Sequence, residues 1–179
     1  ITTTITSLGR LLEISMNKMN DIISIKEELE NIRSYIQIQQ IRYAGQFTVQ
    51  YQIAPELLSL SSPKLILQPI VENAILHNVS TNHLLKILIQ GTIENGNVVF
   101  HITDNGSGMN STQIHDILTT PFRDKSHVFR GIGIVNVNER IHLLYGASYG
   151  ISFDSRVGHY TRVTIILPMQ TNTGEPKTC

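Results

Sequence analysis

The chain has 179 residues, 41% of them hydrophobic, with 14 basic and 14 acidic side chains and a formal net charge of zero. That is enough apolar material for one domain of ordinary size plus an appendage, and the charge balance gives no pointer to nucleic acid or an anionic membrane surface. The only cysteine is the last residue, Cys179, which excludes an internal disulfide and favours a reducing compartment, and no stretch approaches the roughly 18–20 apolar residues a spanning helix needs.

Ile1-Thr2-Thr3-Thr4 lacks a methionine and the basic residues of a signal peptide, so the chain is expected to begin partway through a longer protein. Ile1, Ile5, Leu8, Leu12 and Met16 or Met19 predict a narrow helical stripe over residues 1–18, which must bury its seam against something else. A polar break follows at Asn17 to Asp21. Ser24-Ile25-Lys26-Glu27 has the form of a capping box and predicts a second helix through about Arg42. Its inner side would carry Leu29, Ile32, Tyr35 or Ile36, and Gln39, with Gly45 placed to stop it. FTVQYQI (47–53) alternates as a half-buried strand does. A helix is predicted over 64–78, after Pro63. KILIQGTIE and NVVFHITD read as strands joined by Asn95-Gly96, a strong hairpin signal. A short helix is expected over 111–118, a loop over 119–131, a helix from Ile134 to Tyr145, and closing strands YGISFDS and TRVTIILP before a polar tail. Intermixed helices and strands predict an α+β two-layer sandwich, a mixed sheet with helices on one face. The expected organisation is a helical segment over 1–43, a main domain over 44–170 and a disordered tail over 171–179.

Three segments carry chemistry. In LILQPIVENAILHN, Asn73 and His77 lie four apart and share a helix face, with Glu72 beside it. An amide oxygen and a carboxylate among Ile70, Val71, Ala74 and Ile75 are costly to bury without partners, and a hard cation carrying phosphate oxygens would be one. The second segment is Asp104-Asn105-Gly106-Ser107-Gly108-Met109, where a carboxylate ends a strand and can accept from an exocyclic amine. Gly106 and Gly108 there remove side chains where a ring could lie against the backbone. The third, Gly131-Ile132-Gly133-Ile134, precedes a helix whose first amides suit phosphate. It is neither a dinucleotide fingerprint, lacking the third glycine, nor a Walker loop, lacking Gly-Lys-Ser/Thr. Each segment has a plain structural reading as a rim, a turn or a helix start.

Together, in this order and spacing, they resemble the N box, the D-x-G-x-G box and the second glycine box of the Bergerat-fold (GHKL) ATP-binding domains. LQPIVENAILH, YIQIQQIRY, GIGIVNVNERIHLLYG and the closing T-R-V-T-I-I-L-P are similar to the YesM/LytS type of sensor histidine kinase, from about Leu8 to Pro168. The resemblance implies that Asp104 binds the adenine amino group, helped by Thr161 through a water, and that Asn73 ligates Mg²⁺ bridging the ATP phosphates. Gly106, Gly108, Gly131 and Gly133 would shape the pocket, with Met109 and Ile134 also against the nucleotide. Residues 110–130 would form a lid whose Lys125 and Arg130, with Arg123 and His127, meet the γ-phosphate. It further implies dimerisation through N-terminal helices, a response-regulator receiver as partner, and a cytoplasmic domain of a membrane-anchored bacterial sensor.

The chain also departs from that family. Pro69, flanked by Gln68, stands four before Asn73 where relatives place Glu or Asn, so Gln68, Glu72 and His77 become the candidates for the catalytic polar group. Leu76 occupies a place usually held by lysine, and Tyr160 precedes Thr161 where glycine is usual. No histidine precedes His77, so the family's H-F-x-x-N phosphoacceptor is expected upstream of this chain. The chain alone should bind nucleotide without autophosphorylating. The alternative is a nucleotide-gated interaction module that transfers no phosphate.

Overall fold

A computed structural model describes residues 22–79, 83–119 and 132–171. The helix expected over 1–18, the break at 17–21, most of the 119–131 loop and the tail beyond 171 lie outside the described residues.

Helix α1 spans Ile25–Arg42 and opens on the predicted capping box. The Ser24 hydroxyl accepts from the Glu27 amide (3.2 Å), and the Glu27 carboxylate accepts from the Ser24 amide (2.9 Å), so two free donors of the first turn are satisfied reciprocally. Leu29, Ile32, Tyr35 and Ile36 are buried, as the periodicity requires. Glu28 and Asn31 are buried too, which the apolar pattern does not announce. Two strands of three residues each, β1 (Ile22–Ser24) and β3 (Ser61–Pro63), pair antiparallel, too short to show alternation.

The main sheet has five strands in the order β2-β4-β5-β7-β6, formed by Phe47–Ile53, Leu85–Glu94, Asn97–Asp104, Tyr160–Pro168 and Gly150–Arg156 respectively. β2 runs parallel to β4, and every other pairing is antiparallel. The β4–β5 hairpin turns at Asn95 (φ 51°) and Gly96 (φ 76°), the two positive angles that a tight hairpin of the right twist demands. Leu85, Ile87 and Ile89 from β4, Phe100 and Ile102 from β5, and Val163, Ile165 and Leu167 from β7 are buried on one side of the sheet. Fully burying each such side chain contributes about 1.5–3 kcal/mol, so this face anchors the fold.

Helices α2 (Gln68–Asn78) and α4 (Ile132–Tyr145) pack on that face, with α3 (Ser111–Thr119) against α4. α2 begins four residues later than the sequence predicts. Residues 64–67 form a turn in which Leu65 takes φ 58°, and the Leu65 and Leu67 amides donate to the Glu28 carboxylate of α1. α3 opens on a reciprocal cap: Asn110 and Gln113 each donate a backbone amide to the other's side-chain oxygen, both at 2.9 Å.

Candidate functional site

The ladder between β5 and β7 places Asp104 directly opposite Thr161, both on the helix-facing side at one end of the sheet. An open cavity of about 400 Å³ lies there, bounded by α2, α3 and the ends of these strands. Ile70, Ala74, Ile102, Met109, Ile117 and Val163 supply apolar walls. Polar groups enter at few points: Asp104 and Thr161 from the sheet, Asn73, His77 and Asn78 from α2, and Gln113 and Asp116 from α3. Apolar walls with sparse, fixed polar groups are the usual make-up of a small-molecule site.

Asp104 is held in one orientation. Its Oδ1 accepts from the Gly106 amide at 2.9 Å and from the Asn78 side-chain amide at 3.3 Å. Among the described residues no donor reaches Oδ2. Burial pushes the Asp104 carboxyl up to about 6, against the pull of the Gly106 amide, so it is mostly ionised at neutral pH. Asn78 ties the whole loop to α2: its oxygen accepts from the Ser107 amide (2.8 Å) and hydroxyl (3.2 Å), while its nitrogen also donates to the Ala74 carbonyl (2.9 Å). The far side is fastened by the β6–β7 turn, where the Gly158 amide donates to the Ser107 carbonyl and the Met109 amide donates to the Ser155 hydroxyl (2.8 Å).

Both glycines of the loop make room for the protein's own atoms. A Cβ at Gly106 would stand 2.1 Å from the Asn78 side chain. At Gly108, which takes φ +64°, it would stand 2.1 Å from the Arg156 carbonyl oxygen. The ring-facing surface expected of Gly106 is therefore Asn78 itself, while Gly108 still borders the cavity. Nothing in the pattern NAILHN marks Asn78 as different from any helix-end asparagine; only the fold brings it across to Asp104.

The remaining predicted residues divide. Asn73 and His77 face the cavity together, as their spacing requires, with Leu76 at its mouth. Glu72 does not join them. One residue before Asn73 is about 100° around a helix, which carries Glu72 toward α1, where its charge and, more strongly, burial raise the Tyr35 hydroxyl above its ordinary range. Gln68 is also outside the cavity lining, and among the described residues its side-chain oxygen is buried without a donor. Ile134 belongs to the apolar core. Gly133 packs on α2 instead of lining the cavity: a Cβ there would meet Pro69 at 2.9 Å, so proline four before Asn73 and glycine at the start of α4 are a matched pair. Arg123, Lys125, His127, Arg130 and Gly131 lie outside the described residues, as does most of the expected lid.

This arrangement matches histidine kinase catalytic domains in fold. The catalytic domain of histidine kinase ThkA superposes with a TM-score of 0.62 at 16% identity, over 82% of this chain and 93% of that one. The histidine kinase AdeS from Acinetobacter baumannii gives 0.59 at 17% identity, over 96% of this chain and 77% of that one. Residues 60–171 match the family described as histidine kinase-, DNA gyrase B- and HSP90-like ATPase, and residues 1–47 match a histidine kinase family. The chain belongs to that ATPase family, as the ATP-binding domain of the kind found in sensor histidine kinases. It is 34% identical over 90% of its length to sensor histidine kinase YesM of Bacillus subtilis, and 30% identical over 90% to BtsS of Escherichia coli. It is also 26% identical over 83% to LytS of Bacillus subtilis. The chain spans about a quarter of these relatives, 26% of YesM and of BtsS. Among the described residues no helix is long and apolar enough to cross a membrane.

Proposed function

We propose that the cavity binds Mg-ATP with the purine at the Asp104 end and the phosphates over Asn73 and His77. Asp104 carries this reading: it is a buried residue that lines an open apolar-walled cavity, and among the described residues its Oδ2 accepts no hydrogen bond. An acceptor left over at an apolar-walled cavity is a group that a ligand donor can use for orientation and specificity. The exocyclic amine of adenine is a matching donor, whereas a 6-oxo purine offers a second acceptor and is disfavoured. The flat ring would lie between Ile70, Ala74 and Met109 on one side and Ile102 and Val163 of the sheet on the other, with Thr161 beside Asp104.

Asn73 fits a hard cation. It lines the cavity, and among the described residues its amide takes no hydrogen bond. No cluster of three or more His, Cys, Asp or Glu side chains suited to a metal exists among the described residues, so the cation would share that one amide with phosphates and water. Bound there, Mg²⁺ would neutralise phosphate charge. His77 is the polar group on Asn73's face and takes the assisting position, while Glu72 and Gln68, standing away from the cavity, are assigned no phosphate contact. Lys125 and Arg130, with Gly131 before α4, are proposed to close on the γ-phosphate on the strength of the sequence resemblance.

In the whole protein the γ-phosphate would pass to a histidine upstream of this chain, on helices that pair two protomers, and then to the receiver domain of a response regulator. A cytoplasmic position in a membrane-anchored sensor belongs to the same reading. Titration calorimetry of the chain with Mg-ATP should show one site, and γ-labelled ATP should leave label on the full-length protein. Tight binding with no label on the full-length protein would mark a nucleotide-gated module instead. Failure to bind any adenine nucleotide would defeat the proposal.

A further inference from the structure

Glu28 is the buried charge that the nucleotide site does not use. It sits on α1, 1% exposed, far in sequence from the cavity. Its two oxygens are divided between two backbone donors: Oε2 accepts from the Leu65 amide at 2.7 Å and Oε1 from the Leu67 amide at 2.9 Å. Leu67 is the N-cap residue of α2, and it has no side-chain oxygen with which to cap. The first amides of a helix need an acceptor, and its positive end favours a negative one. α1 therefore supplies the cap that α2 lacks. The turn receiving it is strained, since Leu65 is held at φ 58°, a region costly to a branched side chain and kept only where surroundings enforce it. Arg140 of α4 completes the junction by donating to the Lys64 carbonyl; burial pushes the Glu28 carboxyl above its ordinary range, while the Leu67, Leu65 and Ile66 amides and then the Arg140 charge pull it back. Two turns further along α1, the Tyr35 hydroxyl is raised above its ordinary range by burial and, after that, by the charge of Glu72 on α2.

The two ends of α2 are thus fixed by different elements. Asn78 at its C-terminal end is tied to Asp104 and Ser107, the purine end of the cavity. The N-terminal end, at Leu67, nearly two turns before Asn73, is held by Glu28. Residues 1–47, which include α1, match a histidine kinase family separate from the ATPase family of the rest. We infer that Glu28 is a positioning residue: it sets the N-terminal half of α2 against α1, and so makes the affinity for the Mg-phosphate part of the nucleotide depend on where α1 lies. A shift of α1 along its axis withdraws the carboxylate, frees the strained Leu65 turn and displaces Asn73, while the purine end stays pinned by Asn78. This inference rests on the proposed reading of the cavity as an Mg-ATP site.

The test compares Mg-ATP with adenosine on the chain and its Glu28→Gln variant. Glutamine keeps the size but turns a donor toward one of the two amides. The variant should weaken Mg-ATP by about tenfold or more, from the loss of one charge-assisted cap and the exposure of an unpaired amide, while adenosine shifts by less than about threefold. Equal loss for both ligands, or no loss for either, would overturn the inference while leaving the site reading intact. A wild-type chain that binds neither ligand would sink the site reading and this inference with it. Should the variant fail to fold, amide exchange in the wild-type chain decides. Leu65 and Leu67 should slow when Mg-ATP is added and not when adenosine is, and unchanged exchange with Mg-ATP counts against the coupling.

Discussion

Asp104→Asn separates stability from binding, because the same carboxylate harms one and serves the other. In the folded chain the acid lies at about 6 against 3.8 when free, the higher value being caused by burial. A raised acid means that the folded state holds its proton more tightly than the unfolded state. Stability therefore falls as pH rises from about 4 to about 6, by up to about 3 kcal/mol at 1.36 kcal/mol per unit. Asparagine carries no charge and should return on the order of 1–3 kcal/mol to the nucleotide-free fold at pH 7, several degrees in Tm for a chain of this size. The gain should vanish below about pH 4. Binding moves the other way. Gly106 and Asn78 both donate to Oδ1, so the asparagine oxygen must take that position and its NH₂ must face the cavity. The adenine amine then meets a donor, and losing one charged hydrogen bond while leaving an unpaired donor costs about 3–5 kcal/mol, some 10²–10³-fold in Kd or more. A 6-oxo purine such as that of ITP should lose far less, reversing the preference. Differential scanning fluorimetry at pH 4 and 7, with calorimetric titration of ATP and ITP, reads all of this. A variant that binds ATP within about threefold of wild type, or prefers it to ITP as strongly, would refute the orientation argued for Asp104.

Wild-type affinity for ATP should fall about tenfold between pH 7 and pH 5 as the Asp104 acceptor takes up a proton, whereas a flat profile would show that its ionisation does not matter. Asn73→Ala should abolish the enhancement of ATP binding by Mg²⁺ and leave adenosine affinity nearly unchanged; persistence of the enhancement rules Asn73 out as the ligand. Gly106→Ala forces a Cβ to within 2.1 Å of the Asn78 side chain and should destabilise the chain by about 1–3 kcal/mol. Adding Asn78→Ala should give back part of that loss, and strict additivity in urea titrations would mean that the two residues do not compete for the same space.

How much of this could be read from the sequence follows from the range of the interactions involved. Capping at Ser24 and Glu27, the Asn95-Gly96 turn, alternation in β2 and the shared face of Asn73 and His77 are contacts within about four residues, so the local string contains both partners. Asp104 was legible because a carboxylate ending an apolar strand before two glycines is unusual in itself. The start of α2 was misplaced because its cap comes from Glu28, 39 residues away from Leu67, and no local signal announces a cap in trans. Glu72 looked like a partner of Asn73 because adjacency in sequence is visible and the neighbouring helix that draws it away is not. Asn78 escaped notice for the same reason, since its partner Asp104 lies 26 residues on. Local pattern therefore determined which groups this chain owns, and an aligned ladder with packed helices decided which of them meet. Burial by residues distant in sequence gave Asp104 its raised pKa and set it in the wall of the cavity.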